Sequence, residues 1–217
     1  MNQYIRQLIA QGENQHLDFK YEISDARKIA RTFSAFANTS GGKLLIGVKD
    51  DGTISGISTD EETFMLGSAA NQFSKPPIRF TIKSWTIDGK TILEVTIEES
   101  KNKPHLAPWK DDLWRAYIRL HNENFIANSV QVEVWKKISK GKPALIRYQE
   151  NENLLLSFMR QNQEISLNKF CKVASVKYPV AKRILINLIV VGIIEIHYAE
   201  NRITYRLKEV PDPEPAS

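Results

Sequence analysis

The stretch from Gly12 to Gly56 places carboxylates, an asparagine and paired glycines at the junctions of periodic segments, where polar groups and open backbone can meet a ligand. It reads Gly-Glu-Asn-Gln-His-Leu-Asp-Phe-Lys-Tyr-Glu, then a segment ending Ala-Phe-Ala-Asn-Thr-Ser-Gly-Gly, then Lys-Leu-Leu-Ile-Gly-Val-Lys-Asp-Asp-Gly. Glycines beside a lysine make phosphate binding the first chemistry to test. A nucleotide phosphate loop needs G-x-x-x-x-G-K-[ST], so that backbone N–H groups and a lysine cradle the phosphates. No such stretch exists, and Gly41-Gly42-Lys43 follows a helix and precedes a strand, the reverse of the order that aims a helix N-terminus at phosphate. His16, His105, His121 and His197 lack metal-ligand spacing. No G-x-S-x-G supports acyl transfer.

The remaining chemistry is that of cations meeting a polyanion. The 217 residues carry a formal net charge of +5, which permits a nucleic-acid partner. The distribution is more telling. Between Glu164 and Lys208 there are eight Lys or Arg against three Glu, so the basic character is mostly C-terminal. Phosphate contacts are expected from Lys20, Lys43, Lys49 and Arg119 in the first part of the chain. In the second they are expected from Lys177, Tyr178, Lys182, Arg183 and Arg202. The alternative for Arg119 is a buried ion pair with a carboxylate such as Glu94. Trp85, Trp109, Trp114 and Trp135 read as core or interface aromatics rather than a base-stacking platform.

Among the elements that position these residues, Ser139-Lys-Gly-Lys-Pro143 marks a break between two domains. The expected division is 1–138 for a first domain, 139–144 for a linker, 145–208 for a second domain and 209–217 for a Pro-rich disordered tail. In the first, Leu17 to Glu22 alternates as a strand, and Ser24 caps a helix with apolar positions Ala26, Ile29, Ala30, Phe33, Phe36 and Ala37. Gly41-Gly42 stops it, and Lys43 to Val48 with Thr53 to Ile57 forms a hairpin about Asp50-Asp51-Gly52. A helix from Asp60, strands over 79–87, 91–98 and 113–120, and a helix from about Ser129 to Ile138 complete an α+β mixed sheet with packed helices. The second domain reads as three helices and a hairpin, Asn153–Arg160, Ser166–Val173, Pro179–Val190, then Ile193–Tyr198 with Arg202–Leu207. This is a winged-helix pattern, whose third helix enters the DNA major groove with its N-terminal residues nearest the bases. A three-helix docking module is the competing reading.

The first part resembles the Schlafen AlbA-type domain, also labelled a divergent AAA-type family. The matching pieces are Glu13 with Leu17-Asp18-Phe19-Lys20, Ala35 to Gly42, Leu45 to Gly52, Gly56, Lys103-Pro104-His105 and Tyr117-Ile118-Arg119. Bacterial members often carry a C-terminal winged helix and are described as transcriptional regulators. The resemblance implies DNA binding, with RNA as the other candidate. It also implies an enzymatic alternative, a nuclease in which Glu13, Asp18 and Asp50 or Asp51 hold Mg²⁺ or Mn²⁺. Under the non-catalytic reading no cofactor is needed. Two departures from the family pattern stand out: Asp18 replaces a Glu, and Leu120-His121-Asn122-Glu123-Asn124 follows Arg119 where Gly-Ser and a Thr are usual.

The longest apolar run, Ile184 to Ile196, is broken by Asn187, Gly192 and Glu195, short of the roughly 20 residues of a membrane span. One cysteine, Cys171, excludes an internal disulfide and fits a cytoplasmic protein. A homodimer is expected from the symmetry of operator sites.

Overall fold

The computed structural model describes residues 2–110, 112–141, 149–199 and 202–209. These form two compact units, Met1–Ala127 and Asn128–Ser217.

In the first unit the order is α1 (Asn2–Ala10), β1 (Leu17–Lys20), α2 (Ala26–Asn38), β2 (Gly42–Ile46), α3 (Thr59–Asn71), β3 (Thr81–Ile87), β4 (Lys90–Ile97), β5 (Leu106–Pro108), β6 (Trp114–Leu120) and β7 (Glu123–Ile126). One sheet runs β1-β2-β4-β3 and a second runs β5-β6-β7. In the first sheet β1 pairs parallel to β2 and the other pairs are antiparallel. Alternation along the strands splits its core. Leu44, Ile46, Leu93, Val95 and Ile97 pack with α2 and α3, whereas Leu17, Phe19, Leu45 and Ile92 pack with Ile5 of α1.

The apolar positions expected on α2 are buried, but so are Thr32, Ser34 and Asn38. A helix covered on one side keeps a polar stripe in water. Here the second sheet covers that stripe: Ser34 and Asn38 bond to backbone groups of His105 and Tyr117, and Thr32 accepts from the Asn124 side chain. The N-cap is Asp25 rather than Ser24, with Oδ1 accepting from the Arg27 amide at 2.8 Å. Gly41 ends the connection at φ 70°, where a Cβ would lie 2.8 Å from the Ile97 carbonyl, and a Cβ on Gly42 would overlap the Phe36 ring. Both glycines are therefore needed where the chain turns tightly against α2 and β4.

The expected 43–57 hairpin is reduced to β2 and one bridge between Val48 and Ile54. Both edges of β2 are already taken by β1 and β4, so the returning segment has no edge to join. Sequence reading also missed β5 and β7, three and four residues long. Leu120 to Asn124, read as a departure from the family pattern, forms the β6–β7 turn, with His121 at φ 55°.

The second unit contains α4 (Ser129–Ser139), α5 (Glu150–Asn162), β8 (Glu164–Ile165), α6 (Leu167–Val173), α7 (Tyr178–Val190), β9 (Ile194–Ala199) and β10 (Arg202–Leu207). Its sheet order is β8-β10-β9. The short β8, absent from the sequence reading, pairs Ile165 with Tyr205 of β10. Ser166 caps α6 through the Lys169 amide, and a proline occupies the first turn of α7. The units divide between Ala127 and Asn128 rather than at 139–144, because Val130 and Val134 of α4 join the core of Leu155, Phe170, Leu185 and Leu188. Residues 142–148, 200–201 and 210–217 lie outside the described residues, and with them half of the expected linker, the link between the two strands of the expected hairpin and all but Glu209 of the expected tail. Among the described residues no helix is long and apolar enough to cross a membrane.

Candidate nucleic-acid interface

The motif residues of the first unit converge, but on one another. Arg119 is 1% exposed. Its Nη2 donates to Asp18 Oδ1 at 3.1 Å and to the carbonyls of Asn14 and Leu17, both at 3.2 Å, while Nη1 donates to Asn124 Oδ1 at 3.2 Å. Asp18, itself 3% exposed, also lies 3.0 Å from Lys20 Nζ. Glu13 Oε1 accepts from the Phe19 amide at 2.8 Å, and burial and its neighbour Asp18 push the Glu13 carboxyl above its usual range. Arg119 is therefore corrected from a phosphate contact to a buried brace. Its carboxylate is Asp18, not Glu94, and its planar fork has no donor direction left toward solvent.

Lys43 is half-buried and ion-paired. Its Nζ bonds to Glu94 Oε1, and Glu94 also accepts from Tyr4 Oη at 2.7 Å and Trp85 Nε1 at 2.9 Å. Burial opposes ionisation of Glu94, yet the hydrogen bonds from Lys43 and Tyr4 outweigh it and hold the carboxyl below its usual range. Lys20 is committed to Asp18. Lys49 is exposed, 5.6 Å from the Tyr21 ring centroid, and forms no ion pair among the described residues.

The nuclease alternative places a metal on Glu13, Asp18 and Asp50 or Asp51, and the residues present do not fit one. Glu13 and Asp18 meet, but Asp18 is already neutralised by Arg119 and Lys20. Asp50 and Asp51 sit exposed in a turn, where Asp51 Oδ1 accepts from the Thr53 amide at 2.8 Å. Among the described residues no group of three His, Cys, Asp or Glu is placed to hold a metal ion.

Asn38, the last residue of α2, ties that helix to the second sheet. Its Nδ2 donates to the carbonyls of His105 and Tyr117 at 2.8 and 3.0 Å, and its Oδ1 accepts from the His105 amide at 2.8 Å. Ser34 Oγ donates to the His105 carbonyl at 2.8 Å and accepts from the Tyr117 amide at 3.0 Å. Thr39 Oγ1 accepts from the Arg119 amide at 2.9 Å. His105 Nδ1 lies 2.9 Å from the Pro76 carbonyl, which can only accept, so that nitrogen carries the proton and Nε2 accepts from Ser100 Oγ at 2.7 Å.

The second unit presents its cations differently. Lys177, Tyr178 and Arg183 are exposed and Lys182 is half-buried at the start of α7. Arg202 is exposed on β10, where its Nη2 pairs with Glu164 Oε1 at 2.8 Å. Lys182 and Arg183 line an open groove of about 470 Å³ with Pro179, Ile186 and Asn187 of α7 and with Glu133, Lys136, Lys137 and Lys140. Lys136 and Lys137 lie in the last turn of α4, and Lys140, inside the segment expected to be a linker, caps it. Their spacing within one turn of a single helix was the available signal.

Together these features define an α+β domain braced by a buried polar seam, joined in sequence to a helical unit with its own small sheet and a basic groove. The sequence profile of the family described as Schlafen, AlbA_2 matches residues 13–128, and the chain belongs to that family. No curated protein matches it. Among solved structures, the chain is similar to the DIP2311 protein from Corynebacterium diphtheriae, with 16% identity, a TM-score of 0.49 and coverage of 74% of this chain and 37% of that one. It is also similar to the N-terminal domain of an ATP-dependent DNA helicase RecG-related protein from Nitrosomonas europaea. There the identity is 23%, the TM-score 0.39 and the coverage 54% of this chain and 88% of that one. The chain thus spans about a third of the length of the first of these.

Proposed function

We propose that the chain is a cytoplasmic transcriptional regulator that binds duplex DNA, as a homodimer, through a winged helix formed by its second unit. The observation that carries this reading is the order α5, β8, α6, α7, β9, β10 with sheet order β8-β10-β9. This order supports reading α6 and α7 as a helix-turn-helix pair followed by a hairpin. In such a unit the second helix of the pair enters the major groove, its N-terminal residues meeting base edges. In α7 these are Lys177, Tyr178, Lys182 and Arg183, with Arg202 on the hairpin. The reading includes no catalytic step.

Fluorescence anisotropy of the full chain with a labelled duplex tests it. Each phosphate contact steepens log K against log salt by about 0.9, so Lys182→Ala/Arg183→Ala flattens the slope by about 1.8 if both side chains contact phosphate. An unchanged slope together with an unchanged affinity removes α7 from the interface. Tighter binding of single-stranded RNA than of duplex moves the function to RNA.

A further inference from the structure

We infer that α4 forms the second wall of the nucleic-acid site, with Lys136 near its end and Lys140 at its C-cap holding the phosphate backbone of duplex DNA while α7 reads the bases. This rests on the reading of α7 as the DNA-facing helix.

The groove brings five cations together against one carboxylate, Glu133, whose Oε1 lies 3.1 Å from Lys136 Nζ. Like charges gathered along one groove repel unless a polyanion crosses them. The wall that holds them is anchored. Asn128 Oδ1 accepts from the amides of Val130 and Gln131, both at 2.8 Å, capping the helix. Val130 and Val134, 2% and 3% exposed, bury its inner face in the second unit's core. Lys137 Nζ then bonds to Asn187 Oδ1, which locks α4 to α7 and leaves Lys136 and Lys140 exposed.

A lysine ammonium on a flexible stem is a point charge, suited to tracking phosphates and poor at the bidentate geometry that distinguishes bases. The α4 contribution is therefore affinity without sequence preference. Contacts to phosphate set register, and contacts to base edges set specificity.

The test is Lys136→Gln/Lys140→Gln in the full chain, which spares the Lys137–Asn187 bond, read by anisotropy on two unrelated duplexes beside Lys182→Ala/Arg183→Ala. The expected result is a slope about 1.8 lower and binding weakened about 8-fold per lost contact at about 0.1 M salt, equally on both duplexes. Lys136→Arg/Lys140→Arg, which keeps the charge, retains the slope. An unchanged slope for the α4 variant beside a flattened one for the α7 variant overturns this inference and leaves the winged helix standing. No change in either overturns both. A loss confined to one duplex overturns the assignment to phosphate.

Discussion

The buried cluster around Arg119 and the groove between α4 and α7 are built from the same residue types and use them oppositely. In the first, Arg119 and Lys20 pair with Asp18, as Lys43 pairs with Glu94 in a separate contact of the same unit, so these charges cancel locally. In the second, five cations meet one carboxylate and most face solvent. A buried charge needs a partner within the fold because desolvation costs several kcal/mol per ion. An exposed one keeps its hydration and can exchange it for a ligand. Most charged residues that identify the family are thus the frame of the first unit, Lys49 being exposed, and the concentration of free charge lies elsewhere.

Removing Arg119 breaks this contrast most severely. Arg119→Met leaves Asp18 buried beside Lys20 alone, and urea denaturation of the full chain should show a loss of about 3–5 kcal/mol. A loss below about 1 kcal/mol would place the guanidinium outside the brace. Next comes Asn38→Ala, which strands the His105 amide and the carbonyls it bridges. The expected loss is about 2–3 kcal/mol by the same measurement, and a smaller one would mean that the second sheet is held by its apolar contacts.

The pH dependence follows in size. Burial, with Lys103 nearby, holds His105 below its ordinary 6.5 although the Pro76 carbonyl favours its charged form. The unfolded chain therefore takes up a proton that the folded chain refuses. This stability is complete above pH 6.5 and is lost as pH falls through the folded value. Glu94 adds a second loss below its ordinary 4.5. The urea midpoint should fall between about pH 7 and about pH 5.5 in the native chain and stay level over that range in His105→Gln. A level native profile would mean that His105 titrates normally. The smallest stability effect belongs to Lys182→Ala/Arg183→Ala, expected within about 0.5 kcal/mol because the site is solvated. A large loss there would erase the contrast between frame and interface.

Much of the fold is legible locally. The period of α2, its stop at Gly41-Gly42, the strands over 79–98, the helices from Ser129 and Ser166 and the proline at the start of α7 all follow from neighbours within a turn or two. The site is less legible. Asp18 and Arg119 are 101 residues apart, and Asn38 and His105 are 67 apart, so no local pattern tells a brace from a surface contact. Lys43 and Arg119 read as phosphate contacts because their carboxylates arrive from other strands, whereas the partner of Lys20, Asp18, lies two residues away on β1. Lys136 and Lys140 flank the expected domain edge, whereas the packing of Val130 and Val134 sets that edge before α4.

What the sequence determined by itself was the periodic skeleton, the family signature and the concentration of basic charge toward the C-terminus, all properties of residue type and near-neighbour spacing. Only the tertiary structure decided which charges are spent and which remain available. Burial and pairing depend on strands and helices distant in sequence meeting in space, and a charged side chain becomes frame or interface according to whether a partner or water reaches it first.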